Sequence, residues 1–594
     1  MANWFITRKG ADFNKIAAEN GISPITARIL RNRDVYEQEK IKSFLTADID
    51  SLSRPELLPD MEKAVLVMQN AIENNSRIRI IGDYDVDGIC SSYILQRGIE
   101  ACGGKVDVRL PHRMNDGYGL SMGLVERAHE DGIDTLITCD NGIAAINEIS
   151  YAKELGMTVI VTDHHEVGYE EDDHEKMVLP AADAVVDPKR FDNDPENFKE
   201  ICGAQVAYKF VWLLIETMGI TVTERFMKDL RIFAGWATVC DVMPLTDENR
   251  TMVIDSMRNI PGTENVGLKQ LIRATELDEY NISCYSYGFI LGPCLNASGR
   301  LDSAMRGLEL LMESNSNVAA KYAEDLKKLN DSRKQMTLEG TSKALAKLEE
   351  YGDDLPDVVV IYLPDLHESL AGIIAGKVRE AVSRPVFIIT DAENGGVKGS
   401  GRSIEKYHMF EELSKCKDLL TKFGGHKMAA GFSLEKENID AFRDALNANS
   451  TLKPEDFVED LRLDMELPLG YLNIPLVREF EKLAPFGIDN PEPKFVARNV
   501  ELISGKIIGK NQNVGKYKVR DINSEVIDMI LFGKTNEFNS FLDETFGVDM
   551  RDRLYNGKSH DKMMINVAYK TDINEFRGEE NLQIMLLDYK KISS

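Results

Sequence analysis

Short β-branched runs punctuate the first half of the chain, and three of them lead into polar clusters. Arg77–Ile81 (RIRII) precedes Asp83-Tyr84-Asp85-Val86-Asp87-Gly88, and residues 134–138 (DTLIT) precede Asp140-Asn141-Gly142. Thr158–Thr162 (TVIVT) precedes Asp163-His164-His165-Glu166. Residues 106–110 (VDVRL) and Ala184–Val186 read as further strands, while residues 89–101 and 144–155 space their apolar positions as helices do. Strand alternating with helix predicts an α/β fold on a parallel sheet with right-handed crossovers.

The pattern then changes. Residues 1–58 read as a small helical lead-in, with Ala17, Ala18, Ile22 and residues 27–30 at helical spacing. Ala319, Tyr322, Ala323, Leu326 and Leu329 form one stripe, predicting a long amphipathic helix that connects two lobes. A second α/β lobe begins near Asp357, with strands at 358–362 and 386–390 and small residues (Ala371, Gly372, Ala375, Gly376) on the helix between them. Short strand candidates and turn residues after about 455 predict a small β-barrel. The expected divisions are 1–58, 59–310, 311–352, 353–450 and 451–594.

A chain of 594 residues is too long for one core, which supports several domains. The hydrophobic share of 43% fits a globular protein. No apolar run reaches bilayer-spanning length, and the start, Met1-Ala2-Asn3-Trp4-Phe5, lacks a secretion-signal pattern. A cytoplasmic location is expected. The eight cysteines form no CxxC pair and read as core thiols rather than zinc ligands or disulfides. A net charge of -27 opposes coating nucleic acid through the overall field but leaves room for a local basic channel.

The chemistry follows from where the clusters fall. In an open parallel sheet, residues just past the carboxyl ends of the strands converge on one crevice. Asp83, Asp85 and Asp87 alternate, so at least two carboxylates aim alike, and Gly88 lets the chain turn into a helix. A calcium loop is excluded because Ile94 stands where its bidentate Glu belongs. Asp140 is placed to bridge two ions, and adjacent His164 and His165 point different ways, one to metal and one to substrate. Asp241 lies near the end of the mostly apolar stretch 232–245. Gathered carboxylates repel unless divalent cations neutralise them, and this donor set suits Mn²⁺ or Mg²⁺. Two such ions serve phosphodiester hydrolysis. Neither a serine-nucleophile elbow nor a GxxxxGK[ST] loop is present.

Phosphate also needs cations and backbone donors. Pro111-His112-Arg113 follows a strand, and Asn296-Ala297-Ser298-Gly299-Arg300 reads as a polar break between apolar segments. Gly399-Ser400-Gly401-Arg402-Ser403 and Phe423-Gly424-Gly425-His426-Lys427 read as glycine-rich turns. Lys516, Lys518 and Arg520 share one strand face, either a nucleic-acid surface or merely a solvated one.

In chain order, GDYDVDGI, Pro111-His112-Arg113 before Asp116-Gly117-Tyr118-Gly119-Leu120, Asp140-Asn141-Gly142, the Asp163-His164-His165 triplet, NASGRL, GSGRS, GGHKMAAG and PFGIDNPEP resemble the RecJ family of the DHH phosphoesterase superfamily. These are single-strand-specific 5′→3′ DNA exonucleases, and the resemblance spans nearly the whole chain. It implies a DHH domain, a DHHA1 lobe and an OB-type barrel. Two Mn²⁺ or Mg²⁺ ions would be held by Asp83, Asp85, Asp87, Asp140, His164 and Asp241. Catalysis would involve Asp87, Asp140, His164 and His165, the last against the scissile phosphate. Arg113, Ser400 and Arg402 would pocket the 5′-terminal phosphate, with Asn296 and Arg300 along the nucleic-acid path. Gly424, Gly425 and His426 would complete the substrate face, in a cleft too narrow for duplex. The implied enzyme is a monomer releasing 5′-mononucleotides in DNA repair and recombination, with single-strand-binding protein and a helicase as partners. A DHH hydrolase of small nucleotides would need neither barrel nor lead-in. A ligand-stripped DHH-like scaffold is opposed by the full ligand set.

Overall fold

The computed structural model describes residues 2–592 except 113–118, 171–172, 195–198, 353, 393–394 and 559–560. These residues form two compact units, one of residues 37–333 with 485–491, the other of 2–36, 334–484 and 492–592. No helix among them is long and apolar enough to cross a membrane.

The first unit is built on five parallel strands: Arg77–Ile81, Lys105–Arg109, Thr135–Cys139, Thr158–Thr162 and Ala184–Val186. Alternate residues enter opposite cores. Ile78, Ile80, Ile137, Ile160 and Val186 pack on one side of the sheet, and Leu136, Val159, Val161 and Val185 on the other. Both faces are therefore dry along the inner strands, whereas the edge strand Lys105–Arg109 stays partly exposed and alternates. In space the first strand lies between the second and third. The chain leaves the first strand toward one edge and later returns on its other side, a topological switch point where such sheets open a crevice at their carboxyl ends. Residues 485–491, the heart of the PFGIDNPEP segment, also pack in this unit: Leu245 N–H donates to the Ile488 carbonyl at 2.9 Å.

The second unit carries a mixed five-stranded sheet, from Lys422–Gly425 through Ala429–Leu434, Val397–Arg402 and Val386–Asp391 to Val359–Tyr362. It also carries a closed ring of five strands: Phe495–Ile508, Val514–Arg520, Ile527–Phe532, Glu579–Lys591 and Met563–Phe576. The strands Ile527–Phe532 and Glu579–Lys591 pair in parallel, with helices Thr535–Phe546 and Val548–Tyr555 in the connection, as an OB-type barrel requires. The long helix, Ser316–Glu349, contributes its early residues to the first unit and its later ones to the second.

Three local expectations need correction. The lead-in opens with a strand, Asn3–Ile6, which pairs in parallel with Asp460–Leu463. Its Trp-Phe-Ile content is strand-forming, and Trp4 and Ile6 pack against Leu463, Val496 and Ala568. The NASGR motif is not a polar break but part of the helix Gly292–Leu301, since Ala297, Ser298 and Gly299 are small enough to be buried. The GSGR and FGG motifs are strands rather than turns: Ser400 pairs with Gly431, which pairs with Gly424. Ladder bonding to neighbours outweighs the weak intrinsic strand preference of glycine.

Candidate active site

Asp85 caps the helix Val86–Ala101, its carboxylate accepting from the N–H groups of Asp87 (3.0 Å) and Gly88 (3.1 Å). That cap turns the chain sharply past the first strand. Gly88 is obligatory in the turn, because a Cβ there would collide with the Asp83 backbone, carbonyl oxygen included. Asp87 then reaches the start of the helix Gly203–Thr217, accepting from Gly203 N–H at 2.7 Å and Ala204 N–H at 2.8 Å. Two unsatisfied donors at a helix N-terminus thus fix the carboxylate.

From the third strand, Asp140 enters at φ 60, a left-handed conformation uncommon for a side-chain-bearing residue. Asn141 beside it donates its amide to the carbonyls of Ile81 (3.1 Å) and Cys139 (2.9 Å), tying together the strand ends that flank the switch point. Asp241 ends the helix Glu224–Cys240, and the next residue, Val242, has φ 59 and is 64% exposed. A β-branched residue in that region is strained, and such strain concentrates at functional positions.

These elements meet at His164. Its Nε2 lies 3.0 Å from Asp140 Oδ1, 3.5 Å from Asp87 Oδ2 and 3.6 Å from Asp241 Oδ2. Ligand atoms of Asp83, Asp85 and Asp140 also converge within 4.8 Å of one another, as do those of Asp140, His164 and His165. The two imidazoles diverge: His164 is buried, whereas His165 is 43% exposed and directs Nδ1 at Asp163 Oδ1, 2.8 Å away. Asp163 further accepts backbone N–H groups from His164 and Ile143.

Electrostatics mark the cluster as overcharged. Burial, then the neighbouring Asp85 charge, pushes Asp83 up to about 8. Asp85, Asp140 and Asp241 are raised as well, by burial first and then by the nearby carboxylates. Burial lowers His164, whose Nδ1 has no hydrogen-bond partner among the described residues. At His165 burial opposes protonation, but the bond to Asp163 and the surrounding acids prevail and raise it to about 9. Buried oxygens with one imidazole nitrogen form a hard donor set that fits Mg²⁺ or Mn²⁺. The adjacent thiols of Cys139, Cys202 and Cys240 are pushed up by burial, and among the described residues none of them joins the clustered ligand atoms.

The remaining predicted residues divide between the units. Arg113 lies outside the described residues. Asn296 and Arg300 sit on the helix Gly292–Leu301, where Gly299 permits close approach to the Asp83–Asp85 turn, a Cβ there lying 2.6 Å from the Tyr84 carbonyl oxygen. In the second unit, Arg402 Nη1 donates to Ser400 Oγ at 3.1 Å, and a Cβ on Gly372 would lie 2.7 Å from the guanidinium. Gly431 and Gly424, in register beside Ser400, leave that strip of sheet bare, and His426 follows exposed. Lys516, Lys518 and Arg520 do share a face, but Lys516 pairs with Asp528 (2.6 Å) and Arg520 with Glu501 (2.9 Å). Two of the three cations on that face are thus paired with acids.

Sequence reasoning missed Gly203 and Ala204. Their signal was a helix start without a capping Ser, Thr, Asp or Asn, since Cys202 precedes it. It also missed Asp187, buried at the end of the fifth strand and pushed up to about 8 by burial and by Asp163.

The DHH family N-terminal domain matches residues 77–231, the DHHA1 domain 356–450 and the RecJ OB domain 463–588. The single-stranded-DNA-specific exonuclease RecJ of Bacillus subtilis is 32% identical over 98% of this chain and 70% of its own. The exonuclease of the same name from Escherichia coli is 31% identical over 95% of each chain. The chain belongs to the RecJ family. A crystal structure of RecJ from Thermus thermophilus in complex with Mn²⁺ superposes with a TM-score of 0.80 at 26% identity, covering all of this chain and 80% of that one. DHH, DHHA1 and OB modules thus follow one another in the order the RecJ-like motifs imply.

Proposed function

We propose that this protein is a metal-dependent exonuclease that degrades single-stranded DNA from the 5′ end and releases 5′-mononucleotides. One observation carries the reading: in a RecJ-family chain, five carboxylates and His164 gather at the switch point of a parallel sheet. Asp83, Asp85, Asp87, Asp140, His164 and Asp241 would hold two divalent ions, Mn²⁺ or Mg²⁺. When bound, the ions supply an activated water and charge compensation at the scissile phosphate. The Gly203 and Ala204 amides keep the Asp87 carboxylate aimed into the cluster. Asp163 holds Nδ1 of His165, so that the exposed edge of the ring meets a phosphate oxygen. Arg402 and Ser400 bind a 5′-terminal phosphate, the guanidinium supplying paired donors. Gly424, Gly425 and His426 extend that surface. A pocket that takes only a chain end gives exonuclease polarity. Such strands arise where a helicase opens duplex and single-strand-binding protein covers it; the proposed setting is cytoplasmic DNA repair and recombination, with the enzyme acting as a monomer.

The test is digestion of a 5′-phosphorylated single strand, labelled at either end, with Mn²⁺ or with chelator. Early release of the 5′ label as a mononucleotide, absent in chelator and on duplex, supports the reading. Earlier release of the 3′ label, or faster turnover of dinucleotides than of long strands, overturns it.

A further inference from the structure

Residues 286–291 form a π-helical turn that runs directly into the helix Gly292–Leu301. Such turns are rare and concentrate at functional sites. Tyr287 anchors this one: fully buried, its ring is 6.0 Å from that of Trp236 at 22°, and its hydroxyl lies 2.7 Å from Ser256 Oγ. On the opposite side, Tyr285 and Phe289 are 65% and 67% exposed, stacked on each other at 5.1 Å and 20°. An aromatic pair left this far in water buries little area for the fold.

Its position is informative. Cys240, next to Asp241, contacts the Tyr287 carbonyl at 3.4 Å, and a Cβ on Gly292 would lie 2.5 Å from Cys240 Sγ. The segment therefore backs directly onto the helix that delivers one carboxylate. The accessible residues that follow, Pro293, Asn296 and Arg300, recur at the helical interval while their neighbours are buried. Tyr285, Phe289, Asn296 and Arg300 thus form one stripe of two rings, an amide and a guanidinium, about three helical turns from Phe289 to Arg300.

We propose that Tyr285 and Phe289 are a stacking platform for a nucleobase of the single strand, at the head of a binding stripe that continues through Asn296 to Arg300. The inference rests on the exonuclease reading above. Rings followed by a cation match a polymer whose bases offer π-faces and whose backbone offers phosphates, and stacking of this kind is tolerant of sequence. A protein partner would instead leave DNA affinity untouched.

The experiment compares the wild type, a Tyr285→Ala/Phe289→Ala variant and a ring-retaining Tyr285→Phe/Phe289→Tyr variant. Affinity for a 5′-phosphorylated single strand is measured by anisotropy in chelator at fixed salt, and KM and kcat in Mn²⁺. Loss of stacking is expected to weaken binding about 5- to 150-fold. The ring-retaining variant should stay within about twofold of the wild type. KM should rise while saturated kcat is kept. A strand carrying one abasic site is the second measurement: the wild type should be penalised at one register, and the alanine variant should lose that penalty. Unchanged affinity and KM, or an abasic penalty that persists in the alanine variant, overturns the platform while leaving a working exonuclease. A wild type inactive on single strands overturns the exonuclease reading itself.

Discussion

Gly203 is the position at which one methyl group should separate catalysis from folding. An alanine Cβ there would lie 2.8 Å from Asp140 Cβ, 3.0 Å from Asp140 Cα and 3.1 Å from Asp87 Oδ2. Carbon atoms settle at about 3.5–4.0 Å, so the contact must open by roughly 0.7 Å. Everything in its way belongs to the site. Asp140 is already held at positive φ, and the Asp87 carboxylate is bonded to the backbone of residues 203 and 204. Overpacking of this size costs about 1–3 kcal/mol of stability. The catalytic loss should be larger in proportion, because a displacement near 1 Å in a reacting geometry costs about 10²-fold. Gly203→Ala is therefore expected to lower kcat/KM roughly 10- to 100-fold and to raise the Mn²⁺ midpoint, with a folded melting profile and intact strand binding in chelator. Initial rates on an end-labelled strand, a Mn²⁺ titration and urea melts decide it. Wild-type rates at the wild-type midpoint would refute the crowding argument.

Asp140→Ala should reduce hydrolysis at least about a hundredfold while sparing binding of single strands in chelator; retained turnover would remove the metal assignment. Protons link to metal with a definite sign. Asp83, raised to about 8, keeps a proton that the unfolded chain surrenders near pH 4, so stability of the metal-free protein falls as pH rises between those values. Metal replaces that proton, so the rise in melting temperature on adding Mn²⁺ should be larger at pH 8 than at pH 6, and calorimetry in buffers of different ionisation enthalpy should show proton release. A pH-independent increment would contradict this. Asp464→Ala should cost about 3 kcal/mol in denaturant melts, since it removes the carboxylate 3.1 Å from the buried Arg33 guanidinium; a loss below about 1 kcal/mol would mean the pair is solvated.

The site's main constituents were legible because acids recurred just past strand signals, and parallel sheets bring such residues together. Asp83, Asp85, Asp87, Asp140 and His164 all come from three strand-end clusters, and their meeting required only the sheet. What fixes them was not legible. The Gly203 and Ala204 amides act on Asp87 from more than a hundred residues away, through groups every residue possesses. Motif glycines misled for the related reason that glycine marks either a turn or a close approach. At Gly299 the close approach to Tyr84 governs, so the backbone stays helical. Alternation along Val514–Arg520 correctly gave the outward face, but the acids opposite Lys516 and Arg520 come from neighbouring strands that periodicity alone does not register.

The pairing of Asn3–Ile6 with Asp460–Leu463 joins residues 457 positions apart. On a ribosome adding 5–20 residues per second, the early tryptophan emerges roughly 20 to 90 seconds before its partner exists. Throughout that interval an unpaired, greasy edge is on offer to any passing strand or chaperone. Whatever the finished enzyme does to DNA, this strand finds its own partner only once residues 460–463 have been made.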